Sequence, residues 1–301
     1  MTKKIDHYFE IQAMWTYRYI SIYDDISDII YESIMQNVID FLDIFENNYS
    51  RFRENSIISI LSKKWTIYDP SEELSQMLDL AKSAEKLSKW YFSIFVTNVL
   101  SNLWYGRLSN NILNQKIPSI NKTLKRNKNE ISIKDWWNID FGWFGKGQAI
   151  DKISQNIQKF GAKNFTVNGG GDIYTNNNLT EETMVYFQDP KNMDLAIWQS
   201  TVNYWWFASS SPFHRNWTQN LQTHHHLINP KTKKSSDWSL LAVYTYHKTK
   251  TVMADIASTV IYICKPHEIN AFAKLFEVEY LLILPNYQTI MSDNFPGKLY
   301  H

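Results

Sequence analysis

The segment TVMADIASTVIYI, residues 251–263, combines a carboxylate and two hydroxyl groups at helical spacing. Asp255 and Thr259 lie four positions apart, and Ser258 lies three positions from Asp255, so a helix would place all three side chains on one face. Such oxygen ligands suit Mg²⁺, which takes a few protein oxygens and completes its shell with water and substrate phosphate. The same residue types also commonly decorate a solvated helix face, and the segment alone favours that simpler interpretation.

Residues 140–172 contain two glycine-rich turns on either side of one predicted helix. In DFGWFGKGQAID, three glycines surround Lys146. Apolar residues then recur at helical spacing until Gly161 supplies a C-terminal stop; they are Ile150, Ile153, Ile157 and Phe160. The following FTVNGGGDI predicts a short strand that runs into a turn of three glycines.

A glycine-lined helix start can hold a phosphate group. Its free N–H groups and positive dipole end attract anions, and Lys146 would add a point charge. Neither the Walker spacing nor GxGxxG is present. Two tight turns flanking a core helix explain the pattern equally well.

Two further clusters carry polar groups. His224, His225 and His226 precede LINPKT. Adjacent residues of an extended chain point to opposite faces, so these histidines do not form a three-ligand metal site by themselves. One of them beside a phosphate could act as acid or base, and a surface loop is the alternative. The serines of 209–211 offer hydroxyl donors for a ligand or form an ordinary polar loop.

Composition narrows the class of protein. The chain has 301 residues, of which 44% are hydrophobic, which is enough for a large core. Lys plus Arg number 31 against 30 for Asp plus Glu, so no global field favours nucleic acid. Cys264 is the only cysteine, which excludes an intramolecular disulfide, and we expect it to be buried. No apolar run is long enough for a membrane span or a signal peptide, so we expect a cytoplasmic protein as written.

The element pattern predicts an α+β (mixed α/β) protein with largely antiparallel sheets packed with helices. Residues 9–22 are interpreted as a strand, and Ile26 to Phe45 as an amphipathic helix that buries Ile29 and its neighbours. Ser56 is placed to cap a short helix, and Asp69 with Pro70 to begin another that buries Leu74, Leu78 and Ala81. Strands predominate after residue 183, and a last hairpin turns through Pro285. No repeat or linker divides the chain, which predicts a single domain over 1–301.

Seven motifs fall in one order along nearly the whole chain. They are AMWT (13–16), SRFRENSIIS (50–59), DFGWFGKGQAID (140–151), NGGGDI (168–173), ASSS (208–211), HLINPKT (226–232) and ADIAST (254–259). In this order they resemble the signatures of the ApbE family of flavin transferases. One such motif would be weak evidence, whereas seven collinear motifs are highly specific.

The resemblance implies an ApbE-like fold and a Mg²⁺-dependent FAD:protein FMN transferase. Such an enzyme splits FAD, attaches FMN through a phosphoester to a threonine of an acceptor protein, and releases AMP. Magnesium would be the metal cofactor, FAD the substrate, and the flavinylated acceptor protein the partner; neither nucleic acid nor a membrane span is expected.

The resemblance also implies a set of site residues. The metal would be held by Asp255, Ser258, Thr259 and the backbone carbonyl of Trp143. The FAD contacts would be Met14, Phe52, Trp104, Tyr105, Gly106, Asp140, Lys146, Leu227 and Ile228, with Phe52 near the flavin ring. His226 would be the histidine associated with transfer. We expect Asp255→Ala to abolish metal-dependent activity and to leave the fold largely intact.

The chain departs from the family pattern at several positions. Trp15 replaces a glycine, Gln148 replaces an aromatic residue, and Ser211 and Lys233 replace glycines in two turns. These changes predict a reshaped flavin pocket. Two other functions stay open: an FAD pyrophosphatase that yields FMN and AMP, and a degenerate flavin-binding protein without catalysis. Acceptor-independent AMP release would indicate the first, and tight FAD binding without AMP would indicate the second.

Overall fold

The computed structural model describes residues 7–14, 16–103, 116–134, 137–178, 183–192, 194–213, 215–219, 221–237, 239–296 and 298–299. The helices of these residues are α1 (Asp28–Tyr49), α2 (Ile57–Lys64), α3 (Glu72–Leu87), α4 (Thr97–Asn102), α5 (Ile120–Thr123), α6 (Gly145–Lys159), α7 (Thr251–Ile263) and α8 (Ile269–Phe276). A 3₁₀ turn, Pro266–Glu268, precedes α8. None of the described helices is long and apolar enough to cross a membrane.

The strands of the described residues are mostly short and pair antiparallel. They are β1 (His7–Ala13), β2 (Thr16–Ile22), β3 (Thr66–Tyr68), β4 (Leu124–Arg126), β5 (Glu130–Ile133), β6 (Phe165–Asn168), β7 (Ile173–Asn176), β8 (Thr183–Gln188), β9 (Ala196–Val202), β10 (Tyr204–Ser210), β11 (Asn216–Gln219), β12 (Gln222–His225), β13 (Ile228–Asn229), β14 (Lys234–Ser235), β15 (Ala242–His247), β16 (Val278–Ile283), β17 (Thr289–Met291) and β18 (Lys298–Leu299).

An eight-stranded sheet in the order β1-β2-β6-β7-β10-β15-β16-β17 organises the molecule. The neighbouring strands of this sheet run antiparallel, which confirms the predicted α+β class. Alternate side chains of its strands enter different cores, as the two-residue period of a strand requires. On β16, Leu282 faces the core that contains α7 and α8, whereas Leu281 faces the core shared with β8 and β9. The sheet therefore has helices on one face and a small three-stranded sheet on part of the other.

Several predicted elements differ in detail from the structure. Residues 9–22 form a hairpin of two strands, β1 and β2, because the chain reverses after Met14, whose φ is 54°. Ser27 caps α1, and Ile29 in its first turn is 76% exposed rather than buried. Ser56 caps α2 as predicted, but Ser71 and not Asp69 caps α3. Asp69 instead has a φ of 49° in the turn that precedes the cap.

The central helix α6 begins inside the glycine-rich turn and ends before Gly161, whose φ of 92° provides the predicted stop. Ile150, Ile153 and Ile157 are fully buried against β2, β6 and α1. Phe160 lies one residue beyond the helix and is 37% exposed, so it does not continue the buried face. Helix α7 differs in kind, because nearly all of its residues are buried, including the polar ones.

Candidate active site

Helices α6 and α7 approach each other closely at their N-terminal ends, and Gly147 permits the approach. A Cβ atom at Gly147 would lie 2.8 Å from Val252 Cα and 2.9 Å from the Thr251 carbonyl oxygen, which is closer than such atoms can come. A hydrogen atom fits where a methyl group does not. The packing of the two helices therefore requires the glycine of the signature's KG pair.

Each of these helices supplies a carboxylate to the first turn of the other. Asp255 Oδ2 of α7 accepts the Gly147 N–H of α6 at 3.0 Å. Asp151 of α6 accepts the Thr251 N–H at 2.8 Å and the Val252 N–H at 3.1 Å. First-turn N–H groups have no partner within their own helix, so this reciprocal capping satisfies donors on both helices and places negative charge at both positive dipole ends.

A buried ionic cluster lies at this junction. Lys146 Nζ donates to Asp172 Oδ2, and it lies 3.9 Å from Asp255 Oδ1. Asp172 follows the three glycines, is fully buried, and accepts the Ser209 N–H at 3.2 Å. The phosphate-binding charge predicted at Lys146 is thus already paired with a carboxylate that the sequence analysis did not assign to the site.

The two carboxylates of the cluster influence each other. Burial, and then the charge of Asp172, raise the pKa of Asp255 to about 7, although Lys146 and the Gly147 N–H oppose the rise. Burial lowers the pKa of Lys146, but the charges of Asp172 and Asp255 outweigh it, so this pKa ends above its ordinary value. A cation held by Asp255 would favour the ionised form of that carboxylate.

The hydroxyl groups predicted on α7 face the molecular interior. Ser258 is fully buried and Thr259 is 4% exposed, so the interpretation of a solvated helix face is wrong. Ser210 Oγ, at the end of β10, lies 2.7 Å from Ser258 Oγ and 3.1 Å from Thr259 Oγ1. Ser210 therefore forms one cluster of hydroxyl groups with Ser258 and Thr259. Its membership in the ASSS motif was the available signal, but a serine run is also typical of an ordinary loop.

The expected consequence of Asp255→Ala also changes. Asp255 is 3% exposed and holds the Gly147 N–H, so its removal leaves a buried donor without a partner. The expectation that this substitution leaves the fold largely intact is therefore not supported. Asp255→Asn keeps an acceptor oxygen and removes only the charge.

The donor set suits a hard cation. Among the described residues, no group of three His, Cys, Asp or Glu side chains is arranged to hold a metal ion. A cation here would use the Asp255 carboxylate with hydroxyl and carbonyl oxygens, which fits Mg²⁺ better than zinc. The Trp143 side chain, 6% exposed, packs edge-on against Phe92 with ring centroids 5.5 Å apart, so the predicted ligand at this position involves only its backbone.

An open cleft borders the cluster. Four predicted flavin contacts line it: Met14, Phe52, Asp140 and Lys146. Its remaining lining residues are Phe45, Glu46, Tyr49, Ser50, Arg51, Phe141, Gly142, Gly145 and Arg215. Aromatic walls beside a cationic end suit a flat heterocycle that carries phosphate groups.

One wall of the cleft is held by a paired aspartate. Asp140 Oδ2 lies 2.9 Å from Arg51 Nε, and its Oδ1 accepts the Gly142 N–H at 2.8 Å. The Arg51 guanidinium also lies 4.3 Å from the centre of the Phe52 ring. These contacts orient Phe52 at the cleft surface.

A buried arginine beneath the triple glycine was missed in the sequence. Arg18 is fully buried, and its Nη2 donates to Met14 Sδ at 2.9 Å. Burial lowers its pKa to about 10, although the negative charges of Asp172 and Glu46 act to raise this pKa. A side chain at Gly169 would collide with Arg18 Nη1, at 2.5 Å from the Cβ position. The YRY sequence around Arg18 resembles an ordinary exposed strand, so no local signal indicated its burial.

His226 is fixed by the chain that precedes β11. Its backbone N–H donates to the Arg215 carbonyl at 3.2 Å, and its Nδ1 lies 3.3 Å from the same oxygen. A carbonyl oxygen only accepts, so this contact places the imidazole proton on Nδ1 and leaves Nε2 as the basic nitrogen. Burial and the charge of Arg215 hold the pKa of His226 well below its usual range, so the ring is neutral near pH 7.

The remaining predicted residues have different positions. His225 is fully buried, and its Nε2 lies 2.8 Å from the Ser236 carbonyl oxygen, so it is a core residue. His225 and His226 therefore have different surroundings, as the alternation along an extended chain predicts. Leu227 and Ile228 are also buried core residues and do not line the described cleft, so any flavin contact there would use the backbone. Trp104, Tyr105 and Gly106 lie outside the described residues, as does Trp15.

The other departures from the signature do not reshape the part of the cleft that the structure describes. Gln148, Ser211 and Lys233 are not among its described lining residues. Lys233 has a φ of 58°, which is the left-handed conformation that the replaced glycine favours. Ser211 Oγ donates to the Leu241 carbonyl at 3.0 Å.

Solved structures of ApbE proteins share this fold. An ApbE protein from Thermotoga maritima has a TM-score of 0.81 at 19% identity, covering 96% of this chain and 98% of that one. The flavin transferase ApbE from Vibrio cholerae has a TM-score of 0.75 at 17% identity, with 96% and 97% covered. The flavinyl transferase ApbE from Pseudomonas stutzeri, in its apo form, has a TM-score of 0.77 at 14% identity, with 95% and 94% covered.

The sequence itself identifies the family to which the chain belongs. The model of the ApbE family matches residues 12–282, and the chain belongs to that family. None of the curated proteins matches the chain in sequence.

Proposed function

We propose that this protein is a Mg²⁺-dependent FAD:protein FMN transferase, which transfers FMN from FAD to a threonine of an acceptor protein and releases AMP. The observation that carries the proposal is the position of the Lys146–Asp172–Asp255 cluster at the cationic end of an aromatic-walled cleft. Family membership supports the flavin chemistry, and the seven collinear motifs support the donor and the acceptor.

The transfer is a displacement at phosphorus. The threonine oxygen forms a bond to the phosphorus of the FMN half, and the bond from that phosphorus to the bridging oxygen breaks, so AMP leaves with that oxygen. Because Nε2 of neutral His226 is unprotonated, it can accept the hydroxyl proton. Lys146 is placed to stabilise negative charge on the diphosphate. Mg²⁺, held by Asp255 with nearby hydroxyl and carbonyl oxygens, would neutralise further phosphate charge.

Phe52 and Met14 have a positioning role in this proposal. Both lie on the cleft wall, and Phe52 is held by Arg51. A flavin ring that packs on Phe52 would direct its phosphate chain toward Lys146. Fixing the reacting phosphorus in this way lowers the entropic part of the barrier.

Mass spectrometry of a reaction with FAD and Mg²⁺ tests the proposal. The protein is incubated with a panel of threonine-containing acceptor proteins, and both the acceptor mass and the AMP produced are measured. We expect AMP release that matches an FMN adduct on an acceptor threonine. AMP and FMN without an adduct would instead assign FAD hydrolysis, and bound FAD without AMP would assign a binding protein.

Asp255→Asn provides the matched variant for this reaction. It keeps an acceptor for the Gly147 N–H but removes the charge, so we expect a similar fold and a loss of turnover of about 10²–10³-fold, as for other electrostatic stabilisers. Asp43→Asn, at an exposed residue of α1, is the control for the same chemical change. Full turnover in Asp255→Asn across a Mg²⁺ titration would remove Asp255 from the site.

A further inference from the structure

The cationic end of the cleft contains an arginine that the family signatures do not assign. Arg215 lines the same cleft as Lys146 and Arg51. Lys146 is paired with Asp172, and Arg51 is paired with Asp140. Among the described residues, the Arg215 guanidinium makes neither a hydrogen bond nor an ion pair. It is therefore a cation of the cleft whose charge and hydrogen-bond donors are available to a ligand.

Arg215 lies near the proposed reacting groups. Its positive charge contributes to the lowered pKa of His226, after burial, and it opposes the charge of Lys146. Two cations that face one cleft repel each other, and an anionic ligand between them relieves that repulsion. A guanidinium also presents its donors in a fork that matches two phosphate oxygens.

The backbone of Arg215 is hydrogen-bonded to His226. Its carbonyl oxygen accepts the His226 N–H and contacts His226 Nδ1, so the segment before β11 is tied to His226. Arg215 and His226 are therefore neighbours at the cleft, and a group that binds Arg215 lies near His226.

We infer that Arg215 is a phosphate-binding residue of the cleft, which holds the diphosphate of the bound flavin dinucleotide together with Lys146. This inference rests on the proposed function for the identity of the ligand. It adds that Arg215 discriminates flavins by their phosphates. Riboflavin, which has no phosphate, gains nothing from Arg215, whereas FAD carries two phosphate groups that can reach it.

Flavin binding to Arg215→Gln tests this inference without any turnover. Dissociation constants for FAD, FMN and riboflavin are measured from flavin fluorescence, for the wild type and the variant. Loss of a charge-assisted hydrogen bond predicts an FAD dissociation constant about tenfold to hundredfold higher. The riboflavin constant is expected to stay within about twofold, because it depends on the aromatic walls. Arg126→Gln is the control, because Arg126 is exposed, pairs with Asp79 and is not among the lining residues of the cleft. It should leave all three constants unchanged.

The outcomes separate the inference from the proposed function. An unchanged FAD constant in Arg215→Gln, with FAD bound by the wild type, overturns the inference alone. An equal loss of FAD and riboflavin binding also overturns it, since the effect would then not depend on phosphate. A wild type that binds none of the three flavins overturns both. Should Arg215→Gln fail to fold, Arg215→Lys decides: the lost fork predicts weaker FAD binding, and unchanged binding contradicts the inference.

Discussion

Gly147 illustrates how one missing side chain can determine a site. Its α-hydrogen lies where Val252 and Thr251 of the neighbouring helix leave no space for a methyl group. The same close approach brings the Gly147 N–H to Asp255. The glycine therefore positions the carboxylate that is proposed to hold the metal.

Gly147→Ala is expected to destabilise the protein and to displace Asp255. Its Cβ would collide with backbone atoms, which cannot move aside as a flexible side chain can, so we expect a loss of about 1–3 kcal/mol in the free energy of unfolding. Denaturant unfolding measures the change. Gly145→Ala is the matched control, because its Cβ would meet only Met14 Cε at 3.7 Å, and alanine favours a helix. Equal stabilities for the two variants would contradict the packing role.

At the scale of elements, the two capping carboxylates join α6 and α7 into one unit. Asp151 holds two N–H groups of α7 from outside that helix, where Lys250, the residue at the N-cap position, makes no side-chain capping bond. Helix α7 carries Asp255, Ser258 and Thr259. The position of these proposed metal ligands thus depends on a residue of the other helix.

Asp151→Ala is expected to lower the free energy of unfolding by about 0.5–2 kcal/mol, as for the loss of a helix cap. The Thr251 and Val252 N–H groups would lose their acceptor, so the first turn of α7 should fray. Hydrogen exchange at these amides, together with thermal unfolding, measures the effect. Asp43→Ala, at an exposed helix position, should change stability much less. Unchanged protection at Thr251 and Val252 would argue against the capping role.

The sequence predicted those elements whose signals are local. The isoleucine spacing of α6, the stop at Gly161 and the Ser56 cap each depend on a few neighbouring residues, and the structure contains all three. Ser71 displaced Asp69 as the cap of α3 because a better-placed hydroxyl followed the proline. Ile29 is exposed because it lies on another face of α1: its neighbour Ile30 packs against the core that contains Ile34, and a helix turns by about 100° per residue.

The arrangement of the candidate site was less accessible to sequence analysis. The pairing of Lys146 with Asp172, the burial of Arg18 and the contact of Ser210 with Ser258 all depend on which strands are neighbours in the sheet. Local periodicity contains no information on that order. Motif resemblance indicated which residues would converge, but not which of them would pair with each other.

At the scale of the whole molecule, a buried carboxylate away from the cleft makes stability depend on pH. Glu85 of α3 is 4% exposed, and both its oxygens lie within 3.1 Å of the Ile120 N. Burial raises its pKa from an ordinary value of 4.5 to about 7, although the Ile120 N–H opposes the rise. The folded state therefore binds this proton more tightly than the unfolded state does.

Stability is consequently expected to fall as the pH rises from about 4.5 to 7, by at most about 3 kcal/mol from this group. Glu85→Gln keeps an acceptor for Ile120 and cannot ionise, so it should remove the Glu85 share of the decline, leave the share of Asp255, and be more stable than the wild type at pH 8. Unfolding free energies at several pH values measure both effects. Glu72→Gln, at an exposed position of the same helix, should retain the wild-type decline. An identical pH profile for Glu85→Gln and wild type would exclude Glu85 as its source.

The reciprocal capping of α6 and α7 also has a consequence for how the chain folds. Gly147 and Asp255, which it joins, are 108 positions apart in the sequence, and Asp151 and Thr251 are 100 positions apart. Contacts of such long sequence separation form late, because closing the intervening loop costs entropy before the contact is made. During synthesis α6 is made before α7 and cannot be capped until α7 has emerged. The ability to bind flavin should therefore arise among the last events of folding.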